Sequence, residues 1–363
     1  MEIDKNKRIA VAMSGGVDSS AAALVLKKKG YDVIGISMKL WEGTSRAKKS
    51  CCSLEDFRDA RRVADRIGIP YYVVNMQEEF LERVINPFIS DYVEGKTPNP
   101  CVLCNSEMKF DLLLEKAAHL GADYLATGHY AIIEHDKGRN RYILKKGRDE
   151  SKDQSYFLFS MTQEQLAKVR FPLGHYVKDE VRDILRDAGI AIADKEESQD
   201  ICFVEDGNYS AFIDKNSAVN PAKKGNIVSE DGEVLGEHEG IYRFTIGQRR
   251  GLGISSDRRL YVTGFDYKNN SVIVGDEEDL MSPGLIARDV NWIAMDELSS
   301  PLEASVKIRY SHEDHKATLS PISGEKVDVR FVDTQRAVTP GQAVVFFKED
   351  EILGGGWIES AIK

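Results

Sequence analysis

Along the first third of the chain, short apolar runs alternate with longer stretches whose apolar positions recur every three or four residues. KRIAVAM (residues 7–13), YDVIGISM (31–38), YYVVNM (71–76) and YLATGHYAII (124–133) have the β-rich look of buried strands. Between them, AAALVLKKK (21–29), LEDFRDARRVADRIG (54–68) and KFDLLLEKAAHLG (109–121) carry the helical period. Strand and helix in strict alternation predict βα units and a doubly wound parallel sheet. In such a sheet ligands gather beyond the carboxyl ends of the strands, where residues 14–20, Met38 and Gly128-His129 fall.

The pattern then changes twice. From about Gly147 to Asp214 it stays mainly helical, with EQLAKVR and KDEVRDILRDAG separated by FPLGHY. GNIVSEDGEVLGEHEGIYRFTIGQRRGLG (225–253) reads as short strands around tight turns such as Asp231-Gly232. After Pro283 the short alternating segments SVKIRY, HKATLSP, KVDVRFV, AVVFFKE and ILGGGWI predict a small β-barrel. These shifts predict three domains: an α/β domain over 1–214, a small β-rich central domain over 215–282 and a C-terminal β-barrel over 283–363.

Composition adjusts this picture modestly. The 363 residues allow two or three domains of roughly 150 residues each. The start MEIDKNKR is charged and unlike a signal peptide, and no apolar run approaches the ~20 residues that span a bilayer, so the expected location is the cytoplasm, away from membranes. Five cysteines, Cys51, Cys52, Cys101, Cys104 and Cys202, are too unevenly spread for a secreted disulfide framework. The net charge of −10 argues against a nucleic-acid binder that uses its whole surface. Local patches differ: Arg243 to Arg259 holds five arginines against the single acid Asp257, and Lys145 to Lys152 is a second basic stretch.

The chemistry begins at SGGVDSS, between an apolar strand and an apolar helix. Unpaired N–H groups at a helix start carry partial positive charge and suit phosphate oxygens. Gly15 and Gly16 allow close backbone approach, Ser14, Ser19 and Ser20 offer hydroxyls, and Asp18 is placed to help hold a metal ion bridging phosphates. The bland reading is a turn and an N-cap. A Walker loop is excluded, since no Lys-Ser or Lys-Thr follows the last glycine, and no dinucleotide fingerprint follows a strand. SGGVDSS resembles instead the SGGxDS loop of the PP-loop ATP pyrophosphatases, which implies a grip on pyrophosphate and adenylation of a substrate.

Cysteines supply the second signal. PNPCVLC (98–104) sets two sulfurs at C-x-x-C spacing, and Cys202 lies in EESQDICF. Three thiols without an obvious fourth ligand suit a reactive site better than a structural zinc. Cys104 and Cys202 lie among Asn99, Asn105, Gln199 and Asp200, a polar setting that favours exposure and thiolate character. For Cys51-Cys52 the inert reading stands.

Taken in order, SGGVDSS, PNPCVLCN followed by KF, ATGHYA, KDQSYFL, SQDICF, GIYRFTIGQRRGLG and KIRYS run nearly the length of the chain, and the sequence resembles the tRNA-specific 2-thiouridylases. The resemblance implies an adenine nucleotide alpha hydrolase-like PP-loop fold and an ATP-dependent transferase. Such an enzyme adenylates the C2 oxygen of the wobble uridine in tRNAs for lysine, glutamate and glutamine and replaces it with sulfur. Carried over, Ala12, Met13, Ser14, Gly15, Gly16, Val17, Asp18 and Ser19 bind ATP with Mg2+, completed by Met38 and Gly128. Cys202 carries a persulfide received from a sulfur-donor protein, and Cys104 acts on it, releasing sulfide or closing a disulfide with Cys202. Asn99, Pro100 and Cys101 match the target-base segment. His129, Lys152, Asp153, Gln154, Arg309, Tyr310 and Gln342 match positions that contact the tRNA anticodon region.

Each of the last group also has a structural reading. His129 would satisfy a strand end, Lys152 and Asp153 would start a solvated helix, Arg309 and Tyr310 would be barrel surface, and Gln342 would follow the exposed Pro340-Gly341 turn. Cys101 departs from the aspartate that many family members carry, a candidate general acid–base. That departure leaves open an iron–sulfur cluster on Cys101, Cys104 and Cys202. Two further classes compete: an amidating PP-loop synthetase, which leaves Cys202 and the barrel unexplained, and a non-enzymatic RNA-binding protein, which leaves SGGVDSS unexplained.

Overall fold

The computed structural model describes residues 4–41, 53–196, 201–204, 207–217, 223–323 and 325–363. Cys51, Cys52, Gln199 and Asp200 lie outside the described residues.

Five parallel strands form the first sheet: β1 (Arg8–Ala12), β2 (Asp32–Lys39), β3 (Tyr71–Asn75), β4 (Tyr124–Ala126) and β7 (Val169–Arg170), in the order β3-β2-β1-β4-β7. The order reverses direction at β1, which makes the carboxyl end of β1 the switch point where a doubly wound sheet opens a crevice. Side chains of β1 alternate between two cores. Ile9 and Val11 pack with helix α1 (Val17–Lys28), helix α2 (Leu54–Ile67) and Val181 and Leu185 of a later helix. Ala10 faces the opposite layer, where Phe80, Phe88, Phe110 and Leu113 sit.

Local chemistry sets the helix ends. At α2, Ser53 and Asp56 form a reciprocal capping box, and Gly68 ends the helix in the left-handed conformation at φ +70°. At α1 the helix opens at Val17, four residues before the start that periodicity predicts, because the Gly16 turn already has its carbonyl accepting from the Ser20 N–H.

Three expectations are corrected. YLATGHYAII is not one strand. β4 ends at Ala126, and Ala131–Asp136 (β5) pairs antiparallel with Arg141–Lys146 (β6), which continues onto the C-terminal barrel. The break falls at Gly128, where a Cβ would lie 2.7 Å from the Asp18 carbonyl carbon, so the chain must turn against α1. The helix predicted from Lys109 begins at Pro100 and runs through Pro100–Leu103, a wide-turned Cys104–Leu113 and Leu114–His119, with Pro100 pre-set for the first helical position. EQLAKVR is helical only through Lys168, and Val169-Arg170 joins the sheet edge.

In the central region β8 (Gly225–Ser229), β9 (Val234–His238), β10 (Tyr261–Asp266) and β11 (Ser271–Gly275) enclose Ile227, Val262, Val272 and Val274. The stretch expected to continue as short strands after His238 holds one 3-10 turn, Ile241–Arg243, and otherwise no strand before Tyr261. Gly247, Gly251 and Gly253 take φ of +87°, +77° and +70°, values that break extended pairing.

The last region is a closed barrel. β12 (Met281–Trp292), β13 (Leu302–Lys307), β14 (His315–Ile322), β15 (Lys326–Arg336), β16 (Ala343–Lys348) and β17 (Glu351–Ile362) run in the order β12-β15-β14-β13-β16-β17, and β12 pairs with β17 to complete the ring. Val345, Phe347 and Ile352 of the barrel extend the same core that carries Phe88 and Phe110, so barrel and α/β layer are packed as one body there. No described helix is long and apolar enough to cross a membrane.

Candidate functional site

The loop after β1 is held by its own serines and by the neighbouring strand. The Met13 N–H donates to the Ile36 carbonyl at 2.8 Å, and Ser37 Oγ donates to the Met13 carbonyl. The Ser14 N–H donates to Ser19 Oγ at 3.1 Å, Ser19 Oγ to the Gly16 carbonyl at 3.2 Å, and Ser20 Oγ to the same carbonyl at 2.8 Å. Ser19 and Ser20 are buried, so they shape the loop, and Ser14 is the exposed hydroxyl. Gly16, the residue before α1, has no side chain to cap the helix, which leaves first-turn N–H groups for an incoming anion.

Two glycines wall this turn. Gly15 has φ +73°, and a Cβ there would stand 2.3 Å from the Asp56 carbonyl oxygen at the start of α2. Gly128 closes the other side against Asp18 and Ser19. Met38 lies half-buried at the carboxyl end of β2, on the same edge of the sheet. The residues predicted to grip a nucleotide are therefore contiguous.

Three residues that the sequence reading passed over complete the electrostatics. Asp18 Oδ1 accepts from Tyr130 OH at 2.9 Å and from Lys178 Nζ at 2.7 Å, with the Lys178 side chain nearly buried. Both of these bonds fall on Oδ1. Lys195 Nζ donates to the Gly15 carbonyl at 3.0 Å, to Asp56 Oδ1 at 2.9 Å and to Asp59 Oδ2 at 2.8 Å. Burial pulls the Lys195 ammonium down, and the bonds to Asp59 and Asp56 outweigh it, holding its pKa above the ordinary lysine value. Lys178 opens a helix and Lys195 precedes EESQDICF. Only the loss of a Walker lysine from the loop hinted that a cation must come from elsewhere.

The cysteine segment is clamped from two sides. Gln342 Nε2 donates to the Thr97 carbonyl at 2.7 Å and the Pro98 carbonyl at 3.3 Å, and the Thr97 N–H donates to the Pro340 carbonyl at 3.1 Å. Tyr156 OH donates to the Ala343 carbonyl at 2.9 Å. Asn105 Nδ2 donates to the Phe157 carbonyl at 3.1 Å, and Lys109 Nζ reaches Asn105 Oδ1 at 2.9 Å. Cys101 is exposed, and Cys104 is half-buried.

Cys104 and Cys202, both half-buried, border one and the same apolar core. Asn105 is turned into structure, and Phe203 packs its ring against Phe80, Phe88 and Phe212 at 5.7, 5.1 and 5.2 Å, seating Cys202 beside it. Among the described residues, no three His, Cys, Asp or Glu side chains converge as metal ligands, so Cys101, Cys104 and Cys202 do not fit an iron–sulfur cluster here.

The expected tRNA-contacting positions divide into two groups. Tyr310 is exposed, beyond the end of β13 and so in a turn rather than on the strand where it was expected. Its ring lies 4.5 Å from that of Phe157, and Lys307 Nζ is 5.6 Å from its centroid. Lys152 is half-exposed nearby in sequence. The others face inward. His129 is buried between Phe110 and Phe171, with Nδ1 2.6 Å from Thr127 Oγ1, and burial, with Lys109 second, pushes its pKa well below the ordinary value. Asp153 is buried and accepts from the Gly147 N–H, the Ser155 N–H and Ser155 Oγ. Gln154 Oε1 accepts from the Tyr130 N–H at 3.1 Å.

Arg309 donates to the Ala337 carbonyl at 2.7 Å and to Thr339 Oγ1 at 2.9 Å, so it braces the turn that holds Thr97. Burial, then Arg336, lowers its pKa. Through these bonds Asp153 and Arg309 hold the neighbouring backbone. The arginine run splits as well: Arg243 pairs with Asp214 and Arg258 with Asp276, while Arg249, Arg258 and Arg259 line an open groove of about 400 Å³. The Lys145–Lys152 stretch is neutralised residue by residue, Lys145 by Glu134, Lys146 by Asp314 and Arg148 by Glu180.

A parallel sheet that switches direction at β1, with a glycine–serine loop opening a helix there, defines an ATP-using PP-loop domain. Comparison with known proteins refines this. The family model described as "tRNA methyl transferase HUP domain" matches residues 7–206, "tRNA methyl transferase PRC-barrel domain" matches 211–276, and "Aminomethyltransferase beta-barrel domain" matches 282–358. A protein of Geobacter metallireducens named tRNA-specific 2-thiouridylase MnmA is 53% identical over 363 residues, covering 98% of each chain. Its namesakes in Geotalea uraniireducens and Caldicellulosiruptor saccharolyticus are 51% and 47% identical, covering 99% and 98% of this chain and 96% and 99% of their own. The chain belongs to the tRNA-specific 2-thiouridylase family.

Proposed function

We propose that the protein converts the wobble uridine of tRNA to 2-thiouridine at the expense of ATP. A pyrimidine carbonyl carbon is a poor electrophile and its oxygen a poor leaving group. Attack of that oxygen on the α-phosphate of MgATP expels pyrophosphate and turns the oxygen into part of a good leaving group, AMP. The terminal sulfur of a Cys202 persulfide then attacks C2 and AMP departs. Cys104 thiolate attacks the Cys202 sulfur, breaking the S–S bond to the base and leaving the thiocarbonyl. The resulting Cys104–Cys202 disulfide is reduced by a cellular dithiol before the next turnover.

The observation that carries this reading is the SGGVDSS turn with its uncapped α1 start, walled by Gly15 and Gly128, on the same chain as the clamped Asn99–Cys104 segment. The nucleotide's phosphates take the first-turn N–H groups and Ser14, and Mg2+ comes with them as part of the substrate, meeting Asp18. Tyr310, exposed and tilted against Phe157, offers a base or ribose a flat face, and the Arg249, Arg258 and Arg259 groove suits phosphates. A persulfide-bearing protein supplies sulfur to Cys202 in the cytoplasm. The division at residues 214 and 282 assigns catalysis to the first domain and tRNA docking to the second and third, with the helix Tyr209–Asn216 tying the first two together through Phe212 and Ile213.

The test is nucleoside mass spectrometry of tRNA incubated with the protein, ATP and a persulfide donor. Cys202→Ser abolishes 2-thiouridine while ATP still yields pyrophosphate in the presence of tRNA. Thiolation retained in Cys202→Ser removes that sulfur from the reaction.

A further inference from the structure

Lys195 touches the underside of the nucleotide loop, and its bonds there have a direction. Gly15 contributes its carbonyl to the same peptide unit whose N–H belongs to Gly16, the residue that opens α1. A cation on a peptide oxygen draws density from the nitrogen and strengthens its N–H as a donor, the cooperative effect seen along hydrogen-bonded chains. The same contact fixes the plane of a peptide next to a residue at φ +73°. Asp56 and Asp59 take the remaining two protons of the ammonium, so each of its three donors has a place. Asp56 is itself committed: its Oδ2 closes the capping box with Ser53, leaving Oδ1 for Lys195.

We propose that Lys195 is a positioning residue for ATP, acting through the Gly15–Gly16 peptide to set and polarise the donor that faces the phosphates. The inference rests on the reading that this loop binds ATP. Because Lys195 stands seven residues ahead of Cys202, one contact fixes both the phosphate loop and the start of the stretch that carries sulfur.

The experiment uses the full chain and measures KM for ATP, KM for tRNA and kcat of thiolation, with calorimetric binding of a non-hydrolysable ATP analogue. Lys195→Met weakens the analogue and raises KM for ATP about tenfold, the effect of one charge-assisted hydrogen bond, and leaves KM for tRNA within about twofold. Lys195→Arg restores most of the affinity. Asp59→Asn stays within about twofold of the parent for ATP, because Lys195 keeps Gly15 and Asp56. Should Lys195→Met not fold, Lys195→Gln, which keeps a neutral donor, gives an intermediate loss. Unchanged ATP affinity in both lysine variants overturns the inference, as does an Asp59→Asn loss equal to that of Lys195→Met, which would assign the effect to anchorage of α2. A parent chain that does not bind the analogue overturns the loop reading itself, and the inference with it.

Discussion

Adding one carbon at Gly128 tests whether the first turn of α1 is the phosphate site. In Gly128→Ala the new Cβ meets the Asp18 carbonyl carbon at 2.7 Å, the Ser19 nitrogen at 2.8 Å and Asp18 Cβ at 2.9 Å. Ordinary contact begins at 3.4 Å, so relief requires the helix start to retreat by about 0.7 Å, and two of the three atoms are backbone. A hydrogen bond of about 2.9 Å stretched by that amount passes beyond the range in which it counts as one. Losing a single donor to a charged phosphate costs roughly 1.5–3 kcal/mol, which is about 10- to 150-fold in affinity. The fold itself loses about 1–3 kcal/mol from overpacking, which a thermal melt measures separately. Calorimetric titration of the folded variant with a non-hydrolysable ATP analogue therefore shows at least tenfold weaker binding. If Gly128→Ala binds the analogue within twofold of the parent while its melting point falls, the nucleotide does not sit on that turn.

Two further outcomes follow from the geometry. His129, buried with its pKa well below the ordinary value, stays neutral in the folded state where the unfolded chain takes up a proton. The unfolded state then binds more protons below about pH 6.5, so stability falls on acidification through that range. In His129→Phe the slope of melting temperature against pH between 5 and 7 is shallower, and an unchanged slope removes His129 as its cause. Tyr310→Ala deletes the exposed ring tilted against Phe157 and weakens tRNA binding by roughly 1–3 kcal/mol, the worth of one base stacked on an aromatic ring, with ATP binding unaltered. Filter binding that shows no change removes Tyr310 from the tRNA contact.

Much of this was legible in the chain because its signals are local. A strand needs only its β-rich apolar run, and SGGVDSS needs only its flanks, so β1, the loop and α1 follow from about two dozen residues. Illegible features were those made by residues far apart. Nothing near Lys195 points to Gly15, whose carbonyl it reaches across 180 positions. YLATGHYAII has the composition of a single strand, and its break at Gly128 is dictated by the backbone of Asp18, which no periodicity reports. Buried His129 and Asp153 carry the polar chemistry expected of RNA contacts. Burial, which distinguishes a support from a contact, is a property of the packed fold.

The barrel's place in the molecule follows from the same distinction. A C-terminal barrel that merely held RNA would be free to sit anywhere beside the α/β layer. Here Gln342 and Pro340 hold Thr97 and Pro98, and Ala343 holds Tyr156. Gly341 cannot accept a side chain, since a Cβ would stand 2.9 Å from Lys96 Cβ and 3.2 Å from the Thr97 nitrogen, on a residue already at φ +88°. Arg309, from the turn after β13, fixes Ala337 and Thr339 and so the turn that makes those contacts. The position of the Asn99–Cys104 segment is thus determined jointly by its own helix and by a barrel turn some 240 residues away. A segment set in this way keeps its geometry only while the barrel is docked.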